Sequence, residues 1–362
     1  MIVGVCLLQL REFGVHMLTT KHEVSKLLEY GVKLERWGFD HLKVGDHTLT
    51  MNPNVEYPNA HTLLSAIGVL TKRIKLSTAV TDPLRRHPVE IAQGIATLDR
   101  ITKGRVALGI GAGEAMNLAP FGIEAKKPYT ALREAVQVIK MLWLSSPDNP
   151  ADFKGEVFRL DRAYLQLKCY QKPHPPVYIG ALSPKTRELA GELAEGWIAV
   201  ALESPKTLKV HLREVERGLA KSGRRLEDFY VSATVYTEVG DFEEAYRTVE
   251  WTARRRLASN GEILALMGHK VKVPKEVTIP RIRVDDKEAL SKLDEIAKSI
   301  PRKIVEQILA IGNPDQCIAK LEEYVKAGAN SLIICSLSRD DDRLYRLYSE
   351  KILPYMKEIY GS

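Results

Sequence analysis

The sequence has little of several features that would indicate whole classes of protein. Its four cysteines are far apart and form no Cys-x-x-Cys pair, so neither a disulfide framework nor a metal site is indicated. No apolar run reaches the roughly 18 residues that a membrane-spanning helix needs. The start of the chain also lacks the basic, cleavable pattern of a signal peptide. We therefore expect a cytoplasmic protein that does not contact the membrane.

Motifs for nucleophilic catalysis and for nucleic-acid binding are missing as well. No G-x-S-x-G elbow is present, which argues against acyl-transfer chemistry. The formal net charge of +7 favours acidic partners, but the basic residues alternate with acidic ones along the chain. We expect a mixed, solvated surface and no nucleic-acid partner; a basic binding protein without catalysis is the alternative from a different class.

Short β-branched runs alternate with segments of helical periodicity, an order typical of a parallel sheet with crossover helices. This α/β pattern predicts a (β/α)8 TIM barrel with insertions, and a doubly wound open sheet is the competing architecture. Eight strands are predicted, at Ile2–Leu8, Phe39–Val44, Ile74–Val80, Arg105–Ile110, Val177–Gly180, Trp197–Val200, Tyr230–Val235 and Ser331–Cys335.

The chain is longer than the roughly 250 residues of a typical barrel of this kind. We interpret residues 1–362 as one barrel domain with insertions at about 111–127, 145–176 and 238–310. Three helices have clear starts, because Ser183, Ser204 and Asn313 each precede a proline at the first helical position.

The stretch LGIGAGEAMN, residues 108–117, raises the question of a dinucleotide-binding loop. Its spacing is G-x-G-x-G rather than G-x-G-x-x-G, the prolines and glycine that follow forbid an immediate long helix, and no acid ends a strand about 20 residues later. The Rossmann interpretation therefore fails. What remains is a strand that enters glycines at its carboxyl end and presents one carboxylate, Glu114.

Polar and small residues follow several other predicted strands at their carboxyl ends. In a parallel barrel these ends converge on one mouth, whatever their separation in sequence. A backbone segment of glycines and other small residues at this mouth can approach a flat ring or a phosphate closely. A histidine there can exchange protons near neutral pH. The residues gathered in this way are Asp46, His47, Ala79, Val80, Thr81, Gly111, Ala112, Gly113, Glu114, Gly180, Ala181 and Ser183.

Three stretches together resemble the luciferase-like barrel superfamily: residues 80–123, the GDH at 45–47 and the PPVYIGA at 175–181. Within it, the sequence is most similar to the branch that uses the deazaflavin coenzyme F420, which includes methylenetetrahydromethanopterin reductase and the F420-dependent secondary alcohol and glucose-6-phosphate dehydrogenases. The resemblance implies a (β/α)8 barrel that forms a homodimer or a higher oligomer. It also implies a non-proline cis peptide at Ala79–Val80, behind the cofactor ring.

The resemblance also implies roles for the residues at the mouth. His47 lies near the reacting carbon of the substrate, with Asp46 beside it, and Glu114 lies near the ring nitrogen that gains a proton. Residues 79–81, 111–113, 180–181 and Ser183 contact the cofactor. His47 could then remove the hydroxyl proton in an alcohol oxidation, while donors near Gly111–Gly113 relieve the charge on the ring.

The expected function is hydride transfer between F420 and a small organic substrate, such as a methylene-tetrahydropterin or an alcohol. An FMN-dependent monooxygenase of the same superfamily is the alternative. Two departures leave the substrate open. The sugar-phosphate enzyme has a tryptophan where this chain has Met51, and the pterin reductase has a glutamate in its first strand, where the matching position is Cys6.

Overall fold

The computed structural model describes residues 9–361. Its strands are β1 (Glu12–Met17), β2 (His41–Val44), β3 (Lys75–Thr78), β4 (Val106–Ile110), β5 (Ala151–Lys154), β6 (Arg159–Ala163), β7 (Val177–Gly180), β8 (Gly196–Ala199), β9 (Tyr230–Val239), β10 (Leu309–Gly312) and β11 (Ser331–Ser336).

Eight of these strands form a closed parallel barrel, which confirms the predicted (β/α)8 architecture over the open sheet. Around the barrel the order is β1, β2, β3, β4, β7, β8, β9 and β11, and β11 pairs with β1 to close it. The long strand β9 pairs with β8 through its first half and with the additional strand β10 through its second half. Strands β5 and β6 form a separate antiparallel hairpin.

Helices surround the barrel, and the three predicted helix starts are confirmed, because Ser183, Ser204 and Asn313 each accept a hydrogen bond from the backbone in a capping box. None of the helices in residues 9–361 combines the length and the apolar character needed to cross a membrane. The helices are α1 (Val24–Arg36), α2 (Ala60–Leu70), α3 (Pro88–Thr102), α4 (Ala115–Leu118), α5 (Pro128–Leu144), α6 (Pro184–Leu193), α7 (Pro205–Lys221), α8 (Phe242–Ala258), α9 (Gly261–Leu266), α10 (Lys287–Ser299), α11 (Arg302–Val305), α12 (Pro314–Lys326), α13 (Asp341–Leu347) and α14 (Leu353–Tyr360).

The first barrel strand differs from the sequence-based prediction. The predicted strand Ile2–Leu8 and Cys6 lie outside the described residues, and the place between β11 and β2 is taken by β1, Glu12–Met17. This segment has few β-branched residues and carries charge at its start, so its composition does not mark it as a strand. Cys6 precedes β1 in the chain, so it does not match a residue of the first barrel strand.

Polar side chains fill the amino-terminal end of the barrel interior. The carboxylate of Glu12 accepts hydrogen bonds from Tyr230 Oη at 2.9 Å and Lys75 Nζ at 2.5 Å, and it lies 2.8 Å from His41 Nδ1. Burial would raise the pKa of Glu12, but His41 and Lys75 outweigh that effect and hold it below its ordinary range. His41, the first residue of β2, thus lies at the end of the barrel opposite the mouth.

The three segments expected to be insertions carry structure of their own. Residues 111–127 contain α4, residues 145–176 contain the β5–β6 hairpin, and residues 238–310 contain α8 to α11 and the start of β10. The third segment builds a second apolar cluster with members from α8, α9 and α10. That these segments are insertions into one domain stays a prediction.

Gly109 and Gly94 offer a matched test of how closely β3 and β4 approach. A Cβ on Gly109 would overlap the carbonyl of Thr78, whereas a Cβ on Gly94, within α3, would meet nothing closer than His61 Nδ1 at 3.7 Å. We expect Gly109→Ala to lower the free energy of unfolding by about 1–3 kcal/mol, and Gly94→Ala to raise it by up to about 1 kcal/mol. Urea denaturation measures both, and equal effects would contradict the close approach.

Candidate active site

The carboxyl ends of the barrel strands bring the two principal sequence candidates together. His47 follows β2 and Glu114 follows β4, and His47 Nδ1 lies 3.7 Å from Glu114 Oε2. Both side chains are about a quarter exposed, at 28% and 27%. Glu114 Oε2 is itself buried and has no hydrogen-bond partner among the described residues. An acceptor of this kind fits a ligand that supplies a donor.

Two further residues fix the surroundings of His47. Asn117, in the short helix α4, places its Nδ2 2.8 Å from His47 Nδ1. Tyr57 packs its ring edge-on against the imidazole, with the ring centroids 5.3 Å apart. Burial raises the pKa of the Tyr57 phenol, and the negative charge of Glu114 raises it further, so the hydroxyl stays protonated.

Asp46 has a different environment from His47. Its buried carboxylate accepts hydrogen bonds from Thr81 Oγ1 at 2.7 Å and from Arg86 Nε and Nη2 at 3.0 and 3.1 Å, and Arg85 lies 3.1 Å away. Burial would raise the pKa of Asp46, but these partners outweigh it and lower the pKa. The group beside His47 Nδ1 is thus Asn117, whereas Asp46 ties the loop after β2 to the segment after β3.

The segment after β3 contains the cis peptide bond that the resemblance predicts, at Ala79–Val80. This segment is a bulge, because it has one residue more than β4 between the pairs Ser77–Ala107 and Thr81–Ile110. The side chain of Val80 rests on two of the predicted glycines: a Cβ on Gly111 would lie 2.7 Å from Val80 Cγ2, and one on Gly180 would lie 3.0 Å from Val80 Cγ1. The sequence alone suggested that these glycines leave room for a ligand. In the structure, the room they leave is filled by Val80.

The remaining residues that the sequence predicts at the mouth differ in their exposure to solvent. Ala112 and Gly113 are partly exposed at the mouth, and Gly113 has a φ of +86°, the left-handed conformation that favours glycine. Thr81 and Ala181 are buried at 0% and 1% exposure, which places them behind the mouth surface. Ser183 is exposed, and its hydroxyl belongs to the capping box with Thr186.

The sequence-based prediction did not include four residues that lie at the mouth: Asn117, His16, Tyr57 and Arg256. Asn117 lies three positions after Glu114, a spacing that puts both on one side of a helical turn and could have served as a signal. His16 and Tyr57 carry no local signal. Arg256 stands in a run of three arginines, and periodicity does not show which of them faces the barrel.

Arg256 reaches the mouth from α8. Its Nε is buried without a hydrogen-bond partner in the described part of the chain. Burial lowers the pKa of Arg256, but Tyr236 and the carboxylate of Glu114 outweigh it and raise the pKa, so the guanidinium is charged. The mouth therefore brings the carboxylate of Glu114 close to the positive charge of Arg256.

The segment that contains α8 to α11 covers part of the mouth. Its apolar cluster includes Met116 and Leu202 from barrel loops, and Leu18, Met51 and Leu337 pack against it. The backbone N–H of Ala115, next to Glu114, donates a hydrogen bond to the carbonyl of Pro280 at 3.1 Å. Met51, one of the departures noted in the sequence, is thus part of the contact between barrel and cover.

The family follows from a match that spans most of the chain. The family profile described as luciferase-like monooxygenase matches residues 3–331. The chain belongs to this luciferase-like family. The match covers β1 to the start of β11 and includes every residue assigned to the mouth. This confirms the superfamily that the sequence resemblance indicated.

Several curated and solved members of the luciferase-like family are similar over nearly the whole chain. The F420-dependent glucose-6-phosphate dehydrogenase of Nakamurella multipartita is 29% identical, covering 96% of this chain and 97% of the relative. The 5,10-methylenetetrahydromethanopterin reductase of Archaeoglobus fulgidus is 29% identical, covering 91% and 96%. The solved F420-dependent secondary alcohol dehydrogenase, in complex with an F420-acetone adduct, superposes with a TM-score of 0.80 at 26% identity, covering 95% and 98%.

Replacing Asp46 tests whether this carboxylate holds the mouth together. We expect Asp46→Asn to lower the free energy of unfolding by about 3 kcal/mol, because it leaves the partly buried Arg86 without its anion. The exposed Asp148→Asn in the turn after α5 is the matched control. Thermal denaturation of both variants measures the difference. Unchanged stability in Asp46→Asn would contradict the anchoring role.

His16 provides a pH-dependent test of the same region. Burial, followed by the positive charges of Lys43 and Arg256, lowers its pKa from 6.5 to about 3. As the pH falls below 6.5, the unfolded chain binds this proton before the folded protein does. The stability is therefore fully present above 6.5 and is lost as the pH falls toward 3.

We therefore expect His16→Gln to remove part of the acid sensitivity, by up to about 1.4 kcal/mol per pH unit in that window. Urea denaturation across the window measures the slope. His174→Gln, at a histidine that packs on Trp143 with ring centroids 5.5 Å apart, is the control. Identical slopes in His16→Gln and the wild type would rule out the assignment.

Proposed function

We propose that this protein is an F420-dependent oxidoreductase that transfers hydride between the deazaflavin and a small organic substrate. The observation that carries the proposal is the meeting of three features at one barrel mouth: His47, the Ala79–Val80 bulge, and a Glu114 Oε2 atom without a hydrogen-bond partner among residues 9–361. The names of the relatives add support, since the glucose-6-phosphate and secondary alcohol dehydrogenases described above are F420-dependent by name.

The residues at the mouth fit a flat tricyclic ring. Val80, supported on Gly111 and Gly180, offers an apolar surface for one face of the ring. Ala112 and Gly113 leave the backbone accessible beside it. When bound there, the deazaflavin supplies the carbon that accepts or delivers hydride.

Each polar group at the mouth has a distinct task under this proposal. Glu114 would hold or release a proton at Oε2 beside the ring of a bound deazaflavin, because this atom is buried and has no hydrogen-bond partner among the described residues. His47 contacts the oxygen of the substrate. Arg256 holds an oxygen or an anionic group of the substrate, because its Nε is a buried donor that no described residue pairs with.

The substrate itself is proposed only as a class: a small alcohol, a methylene-tetrahydropterin or a similar carbon centre. Met51 occupies the position of the tryptophan of the sugar-phosphate enzyme and packs against the covering segment. A homodimer or a higher homo-oligomer stays part of the proposal.

Cofactor titration tests the proposal directly. We expect the protein to quench F420 fluorescence and then to turn over F420 with members of a panel of alcohols, sugar phosphates and methylene-tetrahydropterins. Bound FMN together with oxygen consumption would support the monooxygenase alternative instead. Binding of neither coenzyme, with salt-sensitive retention of nucleic acid, would support a non-catalytic basic binding protein.

Substitutions at the mouth test the assigned residues. We expect His47→Ala and Glu114→Gln each to lower kcat by about 10²-fold or more with the fold intact, since each removes a group that acts in proton transfer or on the substrate oxygen. Glu124→Gln, an exposed glutamate on the same loop, is the matched control and should keep full activity. Unchanged kcat in both mouth variants would remove the site assignment.

A further inference from the structure

The orientation of the Asn117 side chain is fixed by its own loop. Its Oδ1 accepts hydrogen bonds from the backbone N–H groups of Thr48 at 2.7 Å and Leu49 at 3.0 Å. An N–H group donates to an oxygen and not to an amide nitrogen, so two donors on one side decide which end of the amide faces them. The Nδ2 group, 2.8 Å from His47 Nδ1, is therefore on the histidine side.

This orientation decides where His47 carries its proton. Asn117 Nδ2 has only hydrogens to offer, so His47 Nδ1 must accept with its lone pair. In the neutral imidazole the proton is then on Nε2. Nε2 makes no hydrogen bond to the described residues, and the side chain is 28% exposed, which leaves this donor free for a ligand at the mouth.

Several charged or titratable groups lie around His47. Glu114 Oε2, at 3.7 Å, favours a proton on Nδ1 but is too distant for a hydrogen bond. Arg256 carries a positive charge near Glu114, and His16 is neutral because burial lowers its pKa. Tyr57 is protonated and neutral. Only Asn117 is within hydrogen-bond distance of Nδ1 in residues 9–361.

We propose that Asn117 is a positioning residue that holds His47 as the neutral Nε2–H tautomer, so that His47 presents a hydrogen-bond donor to the mouth. Its use on a substrate oxygen rests on the proposed function, but the tautomer itself does not. In this state the ring polarises a substrate C–O group and keeps its proton, as a neutral histidine can. This differs from the general-base role that the family resemblance suggested for His47.

The tautomer is measured by long-range proton–nitrogen NMR on protein labelled with ¹⁵N-histidine, without any cofactor. The resonance of His47 is assigned by comparison with His47→Asn. We expect a neutral ring with an unprotonated Nδ1 and a protonated Nε2 in the wild type. A wild-type ring with its proton on Nδ1 would overturn the proposal, whether or not the protein binds F420.

Two variants change the contact between residue 117 and His47 Nδ1. Asn117→Asp keeps an oxygen for Thr48 and Leu49 but replaces the donor facing Nδ1 with an acceptor, so we expect the proton to move to Nδ1. Asn117→Ala removes the donor and leaves Glu114 to attract the proton to the same nitrogen. The exposed Asn149→Asp is the control and should keep the wild-type pattern. An unchanged His47 pattern in a folded Asn117→Asp variant would also overturn the proposal.

An activity measurement then distinguishes the proposed role of Asn117 from the proposed F420-dependent function. If the F420 reaction is confirmed, Asn117→Asp should lower kcat by roughly 10²-fold, as expected when one donor to a developing oxyanion is lost. The affinity for F420 should stay close to the wild-type value. If no F420 activity exists but the tautomer shifts as described, the positioning role stands and the proposed function fails. A shifted tautomer with full kcat would show that the donor is not used in the reaction.

Discussion

The mouth of this barrel depends on one buried carboxylate. Asp46 is 3% exposed and binds Thr81, Arg85 and Arg86, all of which belong to the segment after the neighbouring strand. Hydrogen bonds between charged groups are roughly twice as strong as those between neutral ones. His47 is the next residue in the chain. The contacts of Asp46 with Thr81, Arg85 and Arg86 therefore fix the position of the His47 ring, although the His47 side chain takes no part in them.

The same segment determines the shape of the barrel opening. Thr81 N–H donates to the carbonyl of Gly109 at 3.0 Å, and Gly111 N–H donates to the carbonyl of Thr81 at 2.8 Å, so the bulge after β3 is bonded to the end of β4. This approach requires glycines, because Cβ atoms on Gly109 and Gly111 would overlap Thr78 and Val80. The glycines that resemble a nucleotide-binding loop are thus explained first by packing within the protein.

The barrel and its cover contribute different groups to the mouth. His47, Glu114 and Asn117 come from barrel loops, which a rigid ring of strands holds in place. Arg256 comes from α8, in the long segment between β9 and β10. Variation in that segment would change the groups that it contributes to the mouth without moving the barrel loops.

The amino-acid order was enough to predict the barrel, seven of its eight strands within a few residues, the capped helix starts, and the meeting of His47 and Glu114 at one mouth. Periodicity, turn residues and caps are local, and strand ends converge in any closed parallel barrel, so these features can be predicted without coordinates. Three features could be seen only in the folded protein. The first barrel strand is Glu12–Met17, Val80 fills the space above two glycines, and Asn117 rather than Asp46 contacts the His47 ring. These depend on which side chains meet across strands and loops distant in sequence, and such contacts leave no periodic signal along the chain.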